Sequence, residues 1–262
     1  NAIYRPIHEL TDTKWKDIGE HLSQTLTNFE QEEEILFAEI VDRFEGVTYF
    51  AATQQGQIKR FERKELSPWR TYRSKSTKYA KLKDQDDRIV AVAPVVLEDI
   101  MIITKNGYGL RFNIEEVPVV GAKAAGVKAI NLKDGDQVAA AFKSTTPSMY
   151  ILTQRGSLKR MLQDDIPVTS RAKRGLQVLR ELKNKPHRVF KAGPVFTDQG
   201  DFDLFTSQEE VAEQDQILQL TSTTGQVTEV DLTQLSISER TSNGSFVNDT
   251  ISDQEVFSAT IK

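Results

Sequence analysis

The sequence predicts an all-β protein built as a propeller-like disc of repeated blades, each of roughly 50 residues. Two observations carry this expectation. The segment Thr53-Gln-Gln-Gly-Gln-Ile-Lys-Arg-Phe61 returns as Thr104-Lys-Asn-Gly-Tyr-Gly-Leu-Arg-Phe112 and as Thr153-Gln-Arg-Gly-Ser-Leu-Lys-Arg-Met161, with a weaker copy at Ser222-Thr-Thr-Gly-Gln-Val-Thr-Glu-Val230. The glycines of these copies, Gly56, Gly107, Gly156 and Gly225, are separated by 51, 49 and 69 residues. A period of this size marks stacked supersecondary units, none of which buries its apolar face alone.

Each copy reads as a β-hairpin. An apolar run leads into a polar turn containing Gly, as in Asp99-Ile-Met-Ile-Ile103 before Gly107 and Ser148-Met-Tyr-Ile-Leu152 before Gly156. Glycine supplies the positive φ of a tight hairpin, and β-branched and aromatic residues flank it. After the turn the apolar residues Ile58 and Phe61, and again Leu158 and Met161, are three apart. Strict alternation forbids that spacing on one face, which suggests a bulge, a strong twist or the start of a short helix.

Beyond each hairpin the repeat continues. Trp69, Val120, Thr169 and Ser238 each lie thirteen residues after a turn glycine and open a loop of small and basic residues. A strand then closes each unit, at Asp87–Val92, Asp136–Ala141, His187–Phe190 and Gln254–Ala259. Glu33–Ala38 reads as the same strand one unit earlier, and residues 11–34 read as loop and strand in spite of a helix-like spacing of Trp15, Ile18, Leu22 and Leu26. His8-Glu9-Leu10 matches Lys64-Glu65-Leu66, so the chain is expected to start inside a blade. The units are placed at about 1–34 (partial), 35–86, 87–135, 136–186 and 187–262, as about four four-stranded blades after a partial one in a single domain.

Composition narrows the function. There is no Cys, which excludes disulfides and Cys-ligated zinc. No apolar run reaches the roughly 20 residues of a membrane helix. His8, His21 and His187 lie in different units without metal-ligand spacing, and no phosphate-binding P-loop, nucleophile elbow or H-E-x-x-H helix is present. No catalytic residue, metal site or cofactor is therefore expected in this domain.

Charge points to a partner. The formal net charge of −4 hides opposed fields: residues 51–190 carry a net +13, residues 1–50 a net −7 and residues 191–262 a net −10. Basic residues recur at fixed places, Arg60, Arg111 and Arg160 with Lys59 and Lys159 on the strands. The loops add Arg70, Arg73, Lys75, Lys78, Lys81, Lys123, Lys128, Arg171, Lys173 and Arg174. Singly, such charges are ordinary solvated edge residues. As a periodic set they form a track for a bent phosphate backbone, bound without sequence preference and with steep salt dependence. Gly121, Ala124, Ala125, Gly126, Ala172 and Gly175 are small enough for backbone N–H groups to approach phosphate.

These residues resemble a known family. Val117-Pro-Val-Val-Gly-Ala-Lys-Ala-Ala-Gly-Val-Lys-Ala129, Ser170-Arg-Ala-Lys-Arg-Gly-Leu-Gln-Val-Leu-Arg-Glu-Leu-Lys183 and Ser238-Glu-Arg-Thr-Ser-Asn-Gly-Ser-Phe246 are similar to the C-terminal domain of the A subunit of bacterial type IIA topoisomerases. That domain is the β-pinwheel of gyrase and topoisomerase IV, and the resemblance leans to the topoisomerase IV branch of Gram-positive cocci. It implies a non-catalytic domain that binds and bends duplex DNA around a basic rim and presents a segment to the breakage–reunion core. It also implies that the parent enzyme includes ATPase B subunits with a second A subunit, in a cytoplasmic, nucleoid-associated location. The Gln-Arg-Arg-Gly-Gly-Lys-Gly box of gyrase has only a degenerate counterpart in Ser170–Gly175. A gyrase wrapping domain and a protein-scaffold propeller are the alternative readings. The last unit departs from the rest through an acidic insertion between Gly193 and Gln216, which is expected to end the DNA track or to face another part of the enzyme.

Overall fold

Four copies of one hairpin organise the chain. The structure, a computed structural model, describes all residues except 1, 5, 10, 15, 17, 20, 22–23, 25–28, 30–32, 43–44, 67–79, 83, 85, 122, 197–215, 248–254 and 262. In chain order the strands are β1 (Thr48–Thr53), β2 (Gln57–Glu62), β3 (Ile89–Val95), β4 (Asp99–Thr104), β5 (Tyr108–Asn113), β6 (Val127–Lys128), β7 (Val138–Lys143) and β8 (Ser148–Thr153). They continue as β9 (Ser157–Leu162), β10 (Leu176–Gln177), β11 (Val189–Val195), β12 (Ile217–Ser222), β13 (Val227–Asp231), β14 (Ser245–Phe246) and β15 (Val256–Ile261). They form antiparallel sheets in the orders β3-β1-β2-β6, β10-β5-β4-β7, β11-β8-β9-β14 and β13-β12-β15.

The Thr-x-x-Gly sequence builds each turn. Gly56, Gly107 and Gly156 take φ of 76–79°, and each N–H donates to the carbonyl of the Thr three residues before it at 3.0 Å. The Thr hydroxyl accepts the next N–H on, from Gln57, Tyr108 or Ser157. This is the three-residue hairpin loop with glycine in the left-handed position. The third strand is tied to the turn by a side chain at its start. Asp87 Oδ1 accepts from the Gln55 N–H and Asp136 Oδ1 from the Asn106 N–H. In the third unit His187 takes this place, its Nδ1 lying 3.1 Å from Thr153 Oγ1.

In the first three sheets the outermost strand comes from the following unit. β6 pairs with β2, β10 with β5 and β14 with β9, so each blade is completed by two residues of its successor. A glycine nineteen residues after Gly107, Gly156 and Gly225 makes the crossing feasible. A Cβ on Gly126 or Gly244 would lie 2.5 Å from the carbonyl oxygen of Ile58 or Leu158, and one on Gly175 would collide likewise with that of Gly109. No side chain larger than hydrogen fits between the two backbones.

The cores lie between blades. Phe50, Ala52 and Ile58 of the first sheet meet Ile100, Ile102 and Phe112 of the second. Met101 and Ile103 on the opposite face of the second meet Met149, Ile151 and Met161 of the third. Tyr150, Leu152 and Leu158 then meet Leu218 and Leu220 of the fourth. The third strands of successive sheets also pack together, β3 on β7 and β7 on β11. They form the inside of the curve, and the crossover strands at the opposite sheet edges form the outside.

Several expectations need correction. The β1–β2 and β8–β9 ladders are regular, without a bulge in the hairpin. Ile58 and Phe61 serve two different cores, as do Leu158 and Met161. A spacing of three simply puts the pair on opposite faces of a sheet buried on both sides. The register shifts occur instead where each third strand meets the hairpin, as at Ala52/Thr53. Residues 33–41 form no strand, since the described residues offer them no upstream hairpin to pair with. Among the described residues of 11–34 none is in a strand, and Gln24 is helical.

Candidate nucleic-acid interface

The repeated cations divide by their place in the unit. Those on the hairpin's second strand are turned into the joint with the next blade. Lys59 and Lys159 are 4% and 2% exposed, so neither ammonium group is presented to a ligand outside the disc. Lys59 Nζ donates to the carbonyl of Ala124 at 3.2 Å, in the crossover that arrives from the second unit. Lys159 Nζ has three carbonyls around it, of Val178 at 2.5 Å, Arg240 at 2.6 Å and Ser242 at 2.9 Å. Burial pulls Lys59 down to about 8 and Lys159 down to about 7, the Arg240 charge adding to the effect at Lys159. The carbonyl contacts favour the charged form and oppose that shift.

The arginines one residue further on are half-buried and equally engaged. Arg60 Nε donates to the carbonyl of Val117 at 2.6 Å. Arg160 Nη1 donates to that of Thr233 at 2.6 Å, while its Nε reaches Ser148 Oγ at 2.8 Å. Arg111 holds Asp99 at 3.2 Å and Asp164, in the following unit, at 2.7 Å. The backbone joins as well: Arg60 bridges Val119, Arg111 bridges Val168 and Arg160 bridges Ile237, all in parallel. Lys59, Lys159, Arg60, Arg111 and Arg160 are thus fastenings between blades. The recurrence that suggested a phosphate track is equally a requirement of stacking identical units.

A further arginine behaves in the same way. Arg171 Nη1 donates to the carbonyl of Lys128 at 2.9 Å and its Nε to that of Glu116 at 3.1 Å. Arg240, at the same place in the next unit, donates to the carbonyl of Gln177 at 2.5 Å. Arg171, one of the loop cations expected to meet phosphate, and Arg240 thus share one place in the unit, within Ser-Arg-Ala-Lys and Glu-Arg-Thr-Ser.

The crossovers themselves carry a second class of cations. Lys81, Lys123, Lys128, Lys173 and Arg174 are exposed. Lys173 Nζ touches Thr169 Oγ1 at 2.5 Å. The Arg174 guanidinium lies 6.0 Å from the centre of the Tyr108 ring, which Lys133 approaches from 4.8 Å. Arg70, Arg73, Lys75 and Lys78 lie outside the described residues. Gly126 and Gly175, expected to bring backbone toward phosphate, approach the preceding hairpin instead. Most of the acidic insertion also falls outside the described residues.

The fourth blade keeps the turn and the crossing but differs in its hairpin strands. Thr228 and Glu229 stand where the other units have the basic strand residues, and the Glu229 carboxylate accepts from Gln219 Nε2 at 2.9 Å. Leu218 and Leu220 face the third blade, which leaves Gln219, Thr221 and Glu229 on the other face. That face is polar where the corresponding faces of the first three sheets are apolar. Among the described residues no segment pairs with the outer side of β13. Neither a metal-binding group of side chains nor a helix long and apolar enough to cross a membrane occurs among the described residues.

Comparison with known proteins places the architecture. The family model described as DNA gyrase C-terminal domain, beta-propeller, matches residues 49–95, 98–145 and 148–195. The A subunit of DNA topoisomerase 4 from Streptococcus pyogenes is 64% identical over 261 residues, which is 99% of this chain and 32% of that protein. The protein of the same name from Bacillus subtilis is 41% identical over 71% of the chain and 23% of its own length. The chain thus spans about a third of the length of the streptococcal relative. Among solved structures, a C-terminal domain of DNA topoisomerase IV superposes with a TM-score of 0.84 at 33% identity, covering 99% of this chain and 75% of that one. A DNA gyrase A C-terminal domain, at 19% identity and a TM-score of 0.68 over 92% of this chain and 74% of its own, shares the fold.

Proposed function

The chain belongs to the family of the DNA gyrase C-terminal β-propeller domain, and we propose that it binds duplex DNA along its outer crossovers as part of a topoisomerase IV A subunit. The observation that carries this reading is the division of the cations. Lys123 and Lys128 in one crossover, and Lys173 and Arg174 in the next, stay exposed on successive blades while the strand cations turn inward. Unlike Lys59 and Lys159, these cations stand exposed at the edge away from the inner strands, outside the constraint that explains the strand cations. Arg70, Arg73, Lys75, Lys78 and Lys81 extend the same series by sequence.

Such a row binds through phosphates. Each neutralised phosphate releases condensed counterions, so affinity falls steeply with salt and sequence matters little. A curved row favours DNA that bends to follow it. The parent enzyme would use the bent segment as the duplex brought to its breakage–reunion core, with ATPase B subunits and a second A subunit completing the machine in the cytoplasm. The row of cations ends at the fourth blade, since its crossover contributes Glu239 and an Arg240 already tied to the Gln177 carbonyl. The chemistry of strand passage belongs to the core, and this domain contributes affinity and geometry.

A fluorescence-anisotropy titration with two duplexes of unrelated sequence, at several salt concentrations, tests the reading. Similar affinities and a steep, shared salt slope are expected. Absence of binding at low salt, or a marked preference for one duplex, would overturn it.

A further inference from the structure

One apolar residue per unit stands out from the pattern of the cores. Val119, Val168 and Ile237 each lie twelve residues after a turn glycine and are 46%, 50% and 47% exposed. Each is the residue that bridges the half-buried arginine of the preceding blade, Arg60, Arg111 or Arg160. Two residues earlier in the same segments, Val117 and Ile166 are fully buried. The core therefore already has its residue from this stretch, and the exposed one is surplus to packing. A single exposed valine needs no explanation. Three equivalent ones on three consecutive units, with the same exposure, form a row.

The row adjoins the cationic crossovers. Lys123 follows Val119 within a few residues, and the Lys173 ammonium bonds the hydroxyl of Thr169, the residue next to Val168. A surface that alternates aliphatic side chains with cations matches the edge of a duplex, where the apolar faces of deoxyribose lie between phosphates. A protein partner would have to supply carboxylates at the same repeat, which a phosphate backbone does by its nature.

We propose that Val119, Val168 and Ile237 form an aliphatic track that packs against the deoxyribose edge of bound duplex DNA. This deepens the DNA-binding reading above and rests on it. The track supplies a part of the affinity that salt does not screen, because apolar burial releases no counterions. It also reaches one unit further than the cations, since Ile237 continues the row where the fourth crossover carries Glu239. DNA leaving the cationic stretch would thus still be guided across the fourth unit.

The test is a triple variant, Val119→Thr, Val168→Thr and Ile237→Thr. Threonine keeps the β-branch that suits an extended segment and removes apolar surface. The expected result is a loss of about tenfold in affinity for duplex DNA at every salt concentration, with the wild-type slope of log K against log salt retained. Unchanged affinity, or a loss that comes with a shallower slope, would overturn the proposal. Methyl NMR of the wild-type domain gives the second readout. Contacts between the methyl groups of these residues and deoxyribose protons are expected, and their absence while the Lys173 amide shifts on DNA addition would refute the track alone. No change in anisotropy or in any resonance would instead refute DNA binding itself.

Discussion

Lys159 lies on β9 and Lys173 on the crossover that follows, in the same repeat unit. Lys159 is buried and has three backbone carbonyls for partners, two of them from the next unit. Lys173 is exposed, and its ammonium touches the hydroxyl of Thr169 on its own loop. The two residues carry the same charge within one unit, yet one joins blades and the other is open to a ligand. The difference comes from the strand exchange. A crossover laid over the preceding hairpin leaves carbonyls at the joint, and a long cation from the hairpin is the side chain that reaches them. A cation exposed on a crossover, away from those carbonyls, is the one to assign to a partner.

The contrast is tested most severely at Lys159. Replacing it with Met removes the donor from three carbonyls at one joint and should lower unfolding free energy by about 3 kcal/mol. Urea denaturation measures the loss, and DNA affinity per folded molecule should stay within about twofold. Gly175→Ala adds a Cβ where the Gly109 carbonyl already stands, at a φ of 83°. The second joint should weaken by about 2 kcal/mol, read as a lower midpoint in the same denaturation. Lys59→Met, which removes the donor to the Ala124 carbonyl, should cost about 1.5 kcal/mol, less than its counterpart in the third unit. Lys173→Gln with Arg174→Gln should be the smallest of the set, within about 0.5 kcal/mol of wild type by denaturation.

The repeat was legible because it is written in residues with local roles. Thr and Gly build the turn, Asp caps it, and β-branched runs mark the strands, so hairpins and period could be read directly. Two-residue strands such as β6 and β10 leave no periodicity to detect, which hid the exchange between units. Their one visible sign was the glycine before each, at Gly126, Gly175 and Gly244, and a glycine required by a neighbouring backbone looks the same in sequence as one that welcomes a ligand. The apolar spacing of Ile58 and Phe61 misled for a related reason: a sheet flanked by blades has two buried faces, and a one-sided reading sees an irregularity. Of the candidate interface, the exposed crossover cations were found together with the fastenings, because charge periodicity does not say which way a side chain turns. The polar face of the fourth blade was foreshadowed by Thr228 and Glu229, where the basic positions lapse.

The salt dependence of DNA binding, compared between wild type and the Lys173→Gln, Arg174→Gln variant, bears most directly on the division of labour among the cations. If the crossover cations meet phosphates, the log–log slope should become shallower by about 0.9 for each phosphate no longer neutralised, in a domain that unfolds like wild type. The Lys159→Met variant, measured while folded, should keep the full slope. An unchanged slope in the crossover variant, or an equal reduction in Lys159→Met, would contradict the account.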